Sequence, residues 1–238
     1  MLASGLYEPE VKPVEYKDGG TVLEGQIAYP EQEGKRPAVL IIHDWNGIDD
    51  YEKRRTKEIA QLGYVAFAAD IYGKGIRPNG PQECAAEAGK YYSDNALLRS
   101  RLKAAFDTVK NNNRVDNRKI AIIGYCFGGM CAIDAVRAGF GVKGAVSFHG
   151  SFKTSNPAQK GKSSGKILVL HGDADKAAPL ADLGPMKEEM KKAGIIVKEK
   201  IYPGVDHAFT VPGSPRYDEK ADLSSWKEMA AFLRQVLK

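Results

Sequence analysis

The sequence predicts a doubly wound α/β fold, and three observations carry that prediction. Short apolar or β-branched runs alternate with segments of helical period along most of the chain, the central runs are apolar without interruption, and Gly, Asp and Pro mark the joints. At 238 residues the chain lies within the range that open-sheet proteins fill as one unit. Residues 1–238 are therefore expected to form a single domain, with 1–20 as an N-terminal extension.

In chain order, strands are expected at Thr21 to Tyr29, Ala38 to His43, Tyr64 to Ala69, Lys119 to Gly124, Val142 to Phe148, Lys166 to His171 and Val197 to Tyr202. Val39-Leu40-Ile41-Ile42 and Ile167-Leu168-Val169-Leu170 are apolar at every position, which suits strands of a mostly parallel sheet covered on both faces. Thr21 to Tyr29 alternates more cleanly and sits between turn residues, so it is placed at an antiparallel edge. Helical period appears at Leu98, Leu102, Ala105, Phe106 and Val109, and again at Leu223, Trp226, Ala230, Leu233 and Leu237. Asp49 or Asp50 is expected to cap a helix beginning near Tyr51, and Gly63 and Gly194 stand where helices should stop. The Ser, Lys and Gly-rich stretch Ser155 to Gly165 and the segment Ile76 to Pro81 read as surface loops.

Composition narrows the class. With 43% hydrophobic and 27% charged residues the chain can bury a sizeable core. Its net charge of +5 comes from 35 basic and 30 acidic residues spread along the sequence, with no basic stretch interleaved with aromatics, so no nucleic-acid partner is expected. Met1 to Pro13 contains no apolar run of signal-peptide or membrane-helix length, so no membrane association is expected either. Three cysteines without a CxxC pair make no disulfide framework and point to a reducing, cytoplasmic location.

The chemistry concentrates at Gly124-Tyr125-Cys126-Phe127-Gly128-Gly129, where a strand runs into a helix. A G-x-C-x-G pattern arises by chance roughly 0.03 times in a chain of this composition, and its place between strand and helix gives it the form of a nucleophile elbow. A thiol attacking a carbonyl needs a base. Of the four histidines, His207 lies in the loop between the last strand and the last helix and can reach over the sheet's carboxyl edge. His43 and His171 end strands and His149 follows one, so hydrogen-bonded structural roles are expected for these three. The orienting acid should follow an intervening strand, where Asp173 and Asp175 compete. The Gly-x-x-Asp spacing from Gly172 favours Asp175, and Asp173 suits a turn cap. The order nucleophile, acid, base is the one this kind of fold uses. The amides of Phe127 and Trp45 are expected to receive the oxyanion. Asp44 is placed close enough to the thiol to gate it, keeping it neutral until substrate arrives, although a loop aspartate capping the next helix is the plainer role. No His/Cys/Asp cluster has zinc spacing, and neither a metal nor another cofactor is expected.

At these residues the sequence resembles the dienelactone hydrolase family, through the elbow at Cys126, the Asp175 loop, His207 and Ile42-His43-Asp44-Trp45-Asn46-Gly47, and the likeness runs from about Thr21 onwards. The resemblance implies an α/β-hydrolase fold without a cap domain, a Cys126-His207-Asp175 triad, and hydrolysis of a small-molecule ester or lactone. It also shows departures. Val211 stands where the family's substrate-binding arginine follows the histidine by four residues, no second arginine occurs between Glu83 and Tyr92, and Asp44 replaces a glutamate. Neutral substrates are therefore expected to be preferred, unless Arg77 or Arg216 faces the pocket. The competing readings are a thiol redox sensor built on Cys126 and a non-catalytic binding scaffold on the same fold; a nucleotide-dependent oxidoreductase lacks its G-x-G-x-x-G.

Overall fold

The computed structural model describes residues 7–238. Eight strands form one sheet in the order β1-β2-β4-β3-β5-β6-β7-β8: β1 Lys12–Asp18, β2 Thr21–Ala28, β3 Arg36–Ile42, β4 Val65–Ala69, β5 Val115–Tyr125, β6 Gly144–Phe148, β7 Lys166–Gly172 and β8 Ile196–Tyr202. β1 and β2 pair antiparallel, β2 pairs antiparallel with β4, and every other neighbour is parallel. The expected edge strand at Thr21 is thus second from the edge. Residues 12–18, expected in the extension, form the edge itself. Their sequence, Lys-Pro-Val-Glu-Tyr-Lys-Asp, carries a proline and alternating charges, the composition that protects an unpaired edge and hides it from an apolar-run search. Tyr16 alone is buried there, with its hydroxyl donating to Asp70 O at 2.5 Å.

The uninterrupted apolar runs divide between two faces. In β3, Ala38, Leu40 and Ile42 join one core cluster and Val39 and Ile41 the other. Helices α2 Pro81–Ser93, α3 Asn95–Lys110, α4 Phe127–Arg137 and α5 Leu183–Ala193 cover the first face; α1 Asp50–Gln61 and α6 Glu219–Val236 cover the second. Local signals set several ends. Asp49 caps α1 through the Tyr51 amide, with Glu52 reaching back to complete a capping box, and Gly194 closes α5 at φ 81°. α4 is buried along its whole length because it lies between the sheet and a cover made by α3, Glu189 of α5 and the segment after β6. Among the described residues no helix is long and apolar enough to cross a membrane.

This order locates the site. From β3 the chain steps to β4 on one side and then returns to β5 on the other, which opens a crevice at the carboxyl ends of β3 and β5. The segments after β3, β5, β6, β7 and β8 all leave the sheet at that edge.

Candidate active site

Cys126 is the single residue between β5 and α4, and its backbone is held at φ 53° and ψ −113°. Such strain persists only where the surroundings enforce it. The enforcement is steric. A Cβ on Gly124 would stand 2.0 Å from Gly128 O, and one on Gly128 would stand 2.2 Å from Ile42 O. Only glycine at both positions lets α4 start so close to the end of β3. The Phe127 amide in the first turn of α4 and the Trp45 amide after β3 have no hydrogen-bond partner among the described residues.

The residues selected from the sequence meet over this turn. His207 Nε2 lies 3.0 Å from Cys126 Sγ, and His207 Nδ1 lies 2.7 Å from Asp175 Oδ2. The other Asp175 oxygen accepts from the Ala177 and Ala178 amides at 2.9 and 2.8 Å. Asp173, the rival, instead accepts from the Gly204 amide at 2.6 Å. Burial opposes charge on His207, yet the bonds to Asp175 and Cys126 outweigh it and hold the imidazole up at about 10. Burial likewise pushes the Asp175 carboxyl up, and His207 and the Ala178 amide bring it below its usual value. The pair is thus arranged to carry an imidazolium between a carboxylate and a sulfur.

The remaining histidines are buried. His43 accepts from the Ile71 amide, and burial lowers it to about 4; His171 donates from Nε2 to Ala178 O at 2.8 Å. Cys84 bonds Asn46 Oδ1 at 3.3 Å and Cys131 is fully buried, so neither thiol occupies a turn like that of Cys126.

Asp44 has no hydrogen bond to Cys126 and does not cap α1. Its carboxylate turns back onto the Asn46 amide at 2.7 Å and the Asn46 side chain at 3.3 Å. Burial raises it to about 6 against the pull of the Asn46 amide. It nevertheless shares a cavity wall with Cys126 and His207. Replacing Asp44 with Asn is expected to speed iodoacetamide alkylation of Cys126 about two- to fivefold above pH 6, where the carboxylate is ionised. Well below pH 6 the two proteins should react alike. Equal rates at every pH would reduce Asp44 to a turn residue.

The cavity over Sγ has a volume of about 230 Å³ and is walled by Trp45, Tyr92, Ala177, Ala178 and Ala208, with Ser151, His149 and Arg216 as further polar lining. Tyr92 is 54% exposed although aromatic and packs edge-on against Phe127 at 5.5 Å. Sequence reasoning did not select Tyr92, Ser151 or His149 for the site. For His149 and Ser151 the available signal was their position just past a strand at the carboxyl edge, the same signal that singled out Trp45.

A family model described as the dienelactone hydrolase family matches residues 23–237. A protein of Methylorubrum extorquens named "Putative carboxymethylenebutenolidase" is 28% identical over 98% of this chain and 82% of its own length. A crystal structure of a dienelactone hydrolase-like promiscuous phosphotriesterase from metagenomic libraries superposes with a TM-score of 0.90, at 28% identity over 98% of this chain and all of that one. A structure titled m3DLH gives 0.92 at the same identity and coverage. The expected α/β-hydrolase fold is therefore the one observed.

Proposed function

The chain belongs to the dienelactone hydrolase family, a hydrolase of ester or lactone type, and from that premise we propose that Cys126, His207 and Asp175 act as its nucleophile, base and orienting acid. The observation that carries this reading is the continuous line from Asp175 Oδ2 through His207 to Cys126 Sγ, at 2.7 and 3.0 Å, with the sulfur open to the cavity.

The steps follow from the geometry. His207 takes the thiol proton, and the thiolate attacks the substrate carbonyl carbon. Negative charge moves to the carbonyl oxygen, where the unengaged amides of Phe127 and Trp45 receive it. As the tetrahedral adduct collapses, the C–O bond to the leaving group breaks and His207 passes its proton to that oxygen, leaving an acyl thioester on Cys126. Water then gives a proton to His207 and attacks the thioester carbonyl; the carboxylic acid departs and the sulfur is restored. Asp175 fixes the ring with its proton on Nδ1 and offsets the charge of the imidazolium. Trapping tests this directly. Rapid quenching with p-nitrophenyl acetate should leave an acetyl group on the peptide containing Cys126, and its absence during turnover would refute the reading.

The wall charges support a reading of the substrate class. Val211, which suggested a neutral substrate, faces a different depression beside Arg54 and Pro212. Arg216 lines the cavity over Cys126 with no ion pair among the described residues, and its charge helps depress His149. We place a carboxylate of the substrate against Arg216, which reverses the preference for neutral substrates. Replacing Arg216 with Gln is expected to lower the ratio of iodoacetate to iodoacetamide alkylation rates about three- to tenfold at low salt. An unchanged ratio would return the preference to neutral esters. The same reading treats the chain as one folding unit acting in the cytoplasm, supported by the single sheet and by three free thiols.

A further inference from the structure

Among the described residues, three that are not glycine have positive φ: Cys126 at 53°, His149 at 42° and Ala208 at 58°. They come from three different segments, after β5, after β6 and after β8, yet all three line the cavity over the sulfur. Uncommon backbone gathered at one place implies contacts that hold it there. Contacts from Cys126 and from Thr210, two residues past Ala208, converge on the His149 ring.

The Cys126 amide donates to His149 Nδ1 at 3.1 Å, sharing its hydrogen with Phe148 O at 3.0 Å. A backbone N–H can only donate, so Nδ1 must be unprotonated and the ring hydrogen must sit on Nε2. Nε2 faces Thr210 Oγ1 at 3.0 Å and donates to it. Thr210 is fully buried and lies in the His207 loop, where it also accepts from the Tyr51 hydroxyl at 2.9 Å. Arg55, paired with Asp222 at 2.6 Å, bonds both Tyr51 Oη and the Thr210 carbonyl. One imidazole therefore joins the turn that carries the sulfur to the loop that carries its base. It stands edge-on to the His207 ring, with centroids 5.0 Å apart. Burial and then the charges of His207 and His171 keep His149 well below its usual range. The bridge stays neutral and adds no positive charge of its own beside the His207 imidazolium.

We propose that His149 is a positioning residue for hydrolysis, which sets the distance between Cys126 Sγ and His207 Nε2 by fastening the Cys126 amide and the Thr210 hydroxyl to its two ring nitrogens. The proposal rests on the assignment of Cys126 and His207 as nucleophile and base. His149 touches no reacting atom in this role.

The two ring nitrogens can be tested apart. In His149→Asn the amide oxygen falls near the former Nδ1, and Asn tolerates positive φ, so the Cys126 contact survives while the Thr210 contact is lost. In His149→Gln the amide nitrogen can reach Thr210 while the acceptor for Cys126 is lost. His149→Leu loses both, and Thr210→Val removes the acceptor at nearly constant shape. With p-nitrophenyl acetate, His149→Leu is expected to lower kcat about 10- to 100-fold with KM changed less than about twofold, and Asn and Gln should each recover part of the loss. The alkylation profile of Cys126 against pH gives the second readout. The high value of His207, about 10, depends partly on its bond to Cys126, so the alkaline limb should move toward neutral pH in His149→Leu. A purely structural histidine would lower the melting temperature without moving that limb. If His149→Leu does not fold, Thr210→Val must show the same limb shift, and a wild-type profile there overturns the proposal. A folded His149→Leu with wild-type kcat and limb also overturns it. The assignment beneath it fails separately, when the Cys126→Ala protein still turns over ester.

Discussion

Replacing Cys126 with Ala is expected to cut ester hydrolysis by at least about 10⁴-fold while leaving a folded protein. The loss is large because the sulfur has two parts in the proposed cycle, bonding the acyl carbon and stabilising the His207 imidazolium at 3.0 Å. The fold should survive because alanine inherits the same strained turn, and that turn is enforced by Gly124, Gly128 and their neighbours rather than by the thiol. Stability should change with pH in a defined direction. His207 is raised from its ordinary 6.5 to about 10, so its contribution is complete below 6.5 and fades as the pH climbs to 10. The part that depends on Cys126 disappears in the variant, so the gap in melting temperature should be wider at pH 6 than at pH 10. Turnover by the native enzyme should also fall above about pH 10, where no imidazolium remains to protonate the leaving oxygen. Substantial hydrolysis by folded Cys126→Ala protein, checked by titration against p-nitrophenyl acetate, would remove the sulfur from the chemistry.

Much of this site was legible because its residues sit at points where an α/β chain leaves its sheet. An elbow has a local steric signature, and Gly124-x-Cys126-x-Gly128 carries it within five residues. Asp175 and His207 are legible from element order alone, because that order decides which loops reach the same edge. The side chains that line the cavity were harder, because no short-range pattern says which way a long loop turns. Val211 and Arg216 illustrate this. They are five residues apart in one loop, and the nearer to His207 in sequence faces away while the farther faces in. Asp44 shows a different limit. Its place after β3 put it near the thiol, but an asparagine two residues on offered its carboxylate a closer partner.

The fold was legible in proportion to burial. β3 and β7 are packed on both faces and announce themselves as apolar runs, whereas β1 exposes most of its residues and carries edge-protecting charges that resemble a loop. β5 begins at Val115, earlier than its apolar portion, because Asp116 to Arg118 extend the strand past a register shift opposite Arg36 and Ala38. Charged residues within a pairing strand leave no periodic trace.

Gly128→Ala is expected to damage both stability and turnover, and two effects of opposite sign decide it. Alanine is a better helix former than glycine by about 1 kcal/mol, and Gly128 lies in the first turn of α4 at an ordinary φ, so propensity alone favours the change. Sterics oppose it. The new Cβ would sit 2.2 Å from Ile42 O and 2.6 Å from His43 O. Both are backbone atoms at the end of β3, which is paired to β4 and β5 and cannot yield as a flexible side chain would. Overpacking of this kind costs about 3 kcal/mol or more, so sterics should win, and in a chain of this size the melting temperature should fall by roughly 5–10 °C. The consequence for chemistry follows from which atoms separate. Moving α4 away from β3 carries the Phe127 amide away from the Trp45 amide, and an oxyanion held by one donor instead of two should lose about 10²-fold in kcat. Gly89 supplies the control, since it lies within α2 with nothing inside 4 Å of its would-be Cβ. Gly89→Ala should keep full activity and gain up to about 1 kcal/mol. Thermal melts of both variants, alongside kcat for p-nitrophenyl acetate, separate the two effects. A Gly128→Ala protein as stable and active as the native one would mean that α4 can retreat from β3 without consequence, and that the closeness of the two amides contributes nothing to turnover.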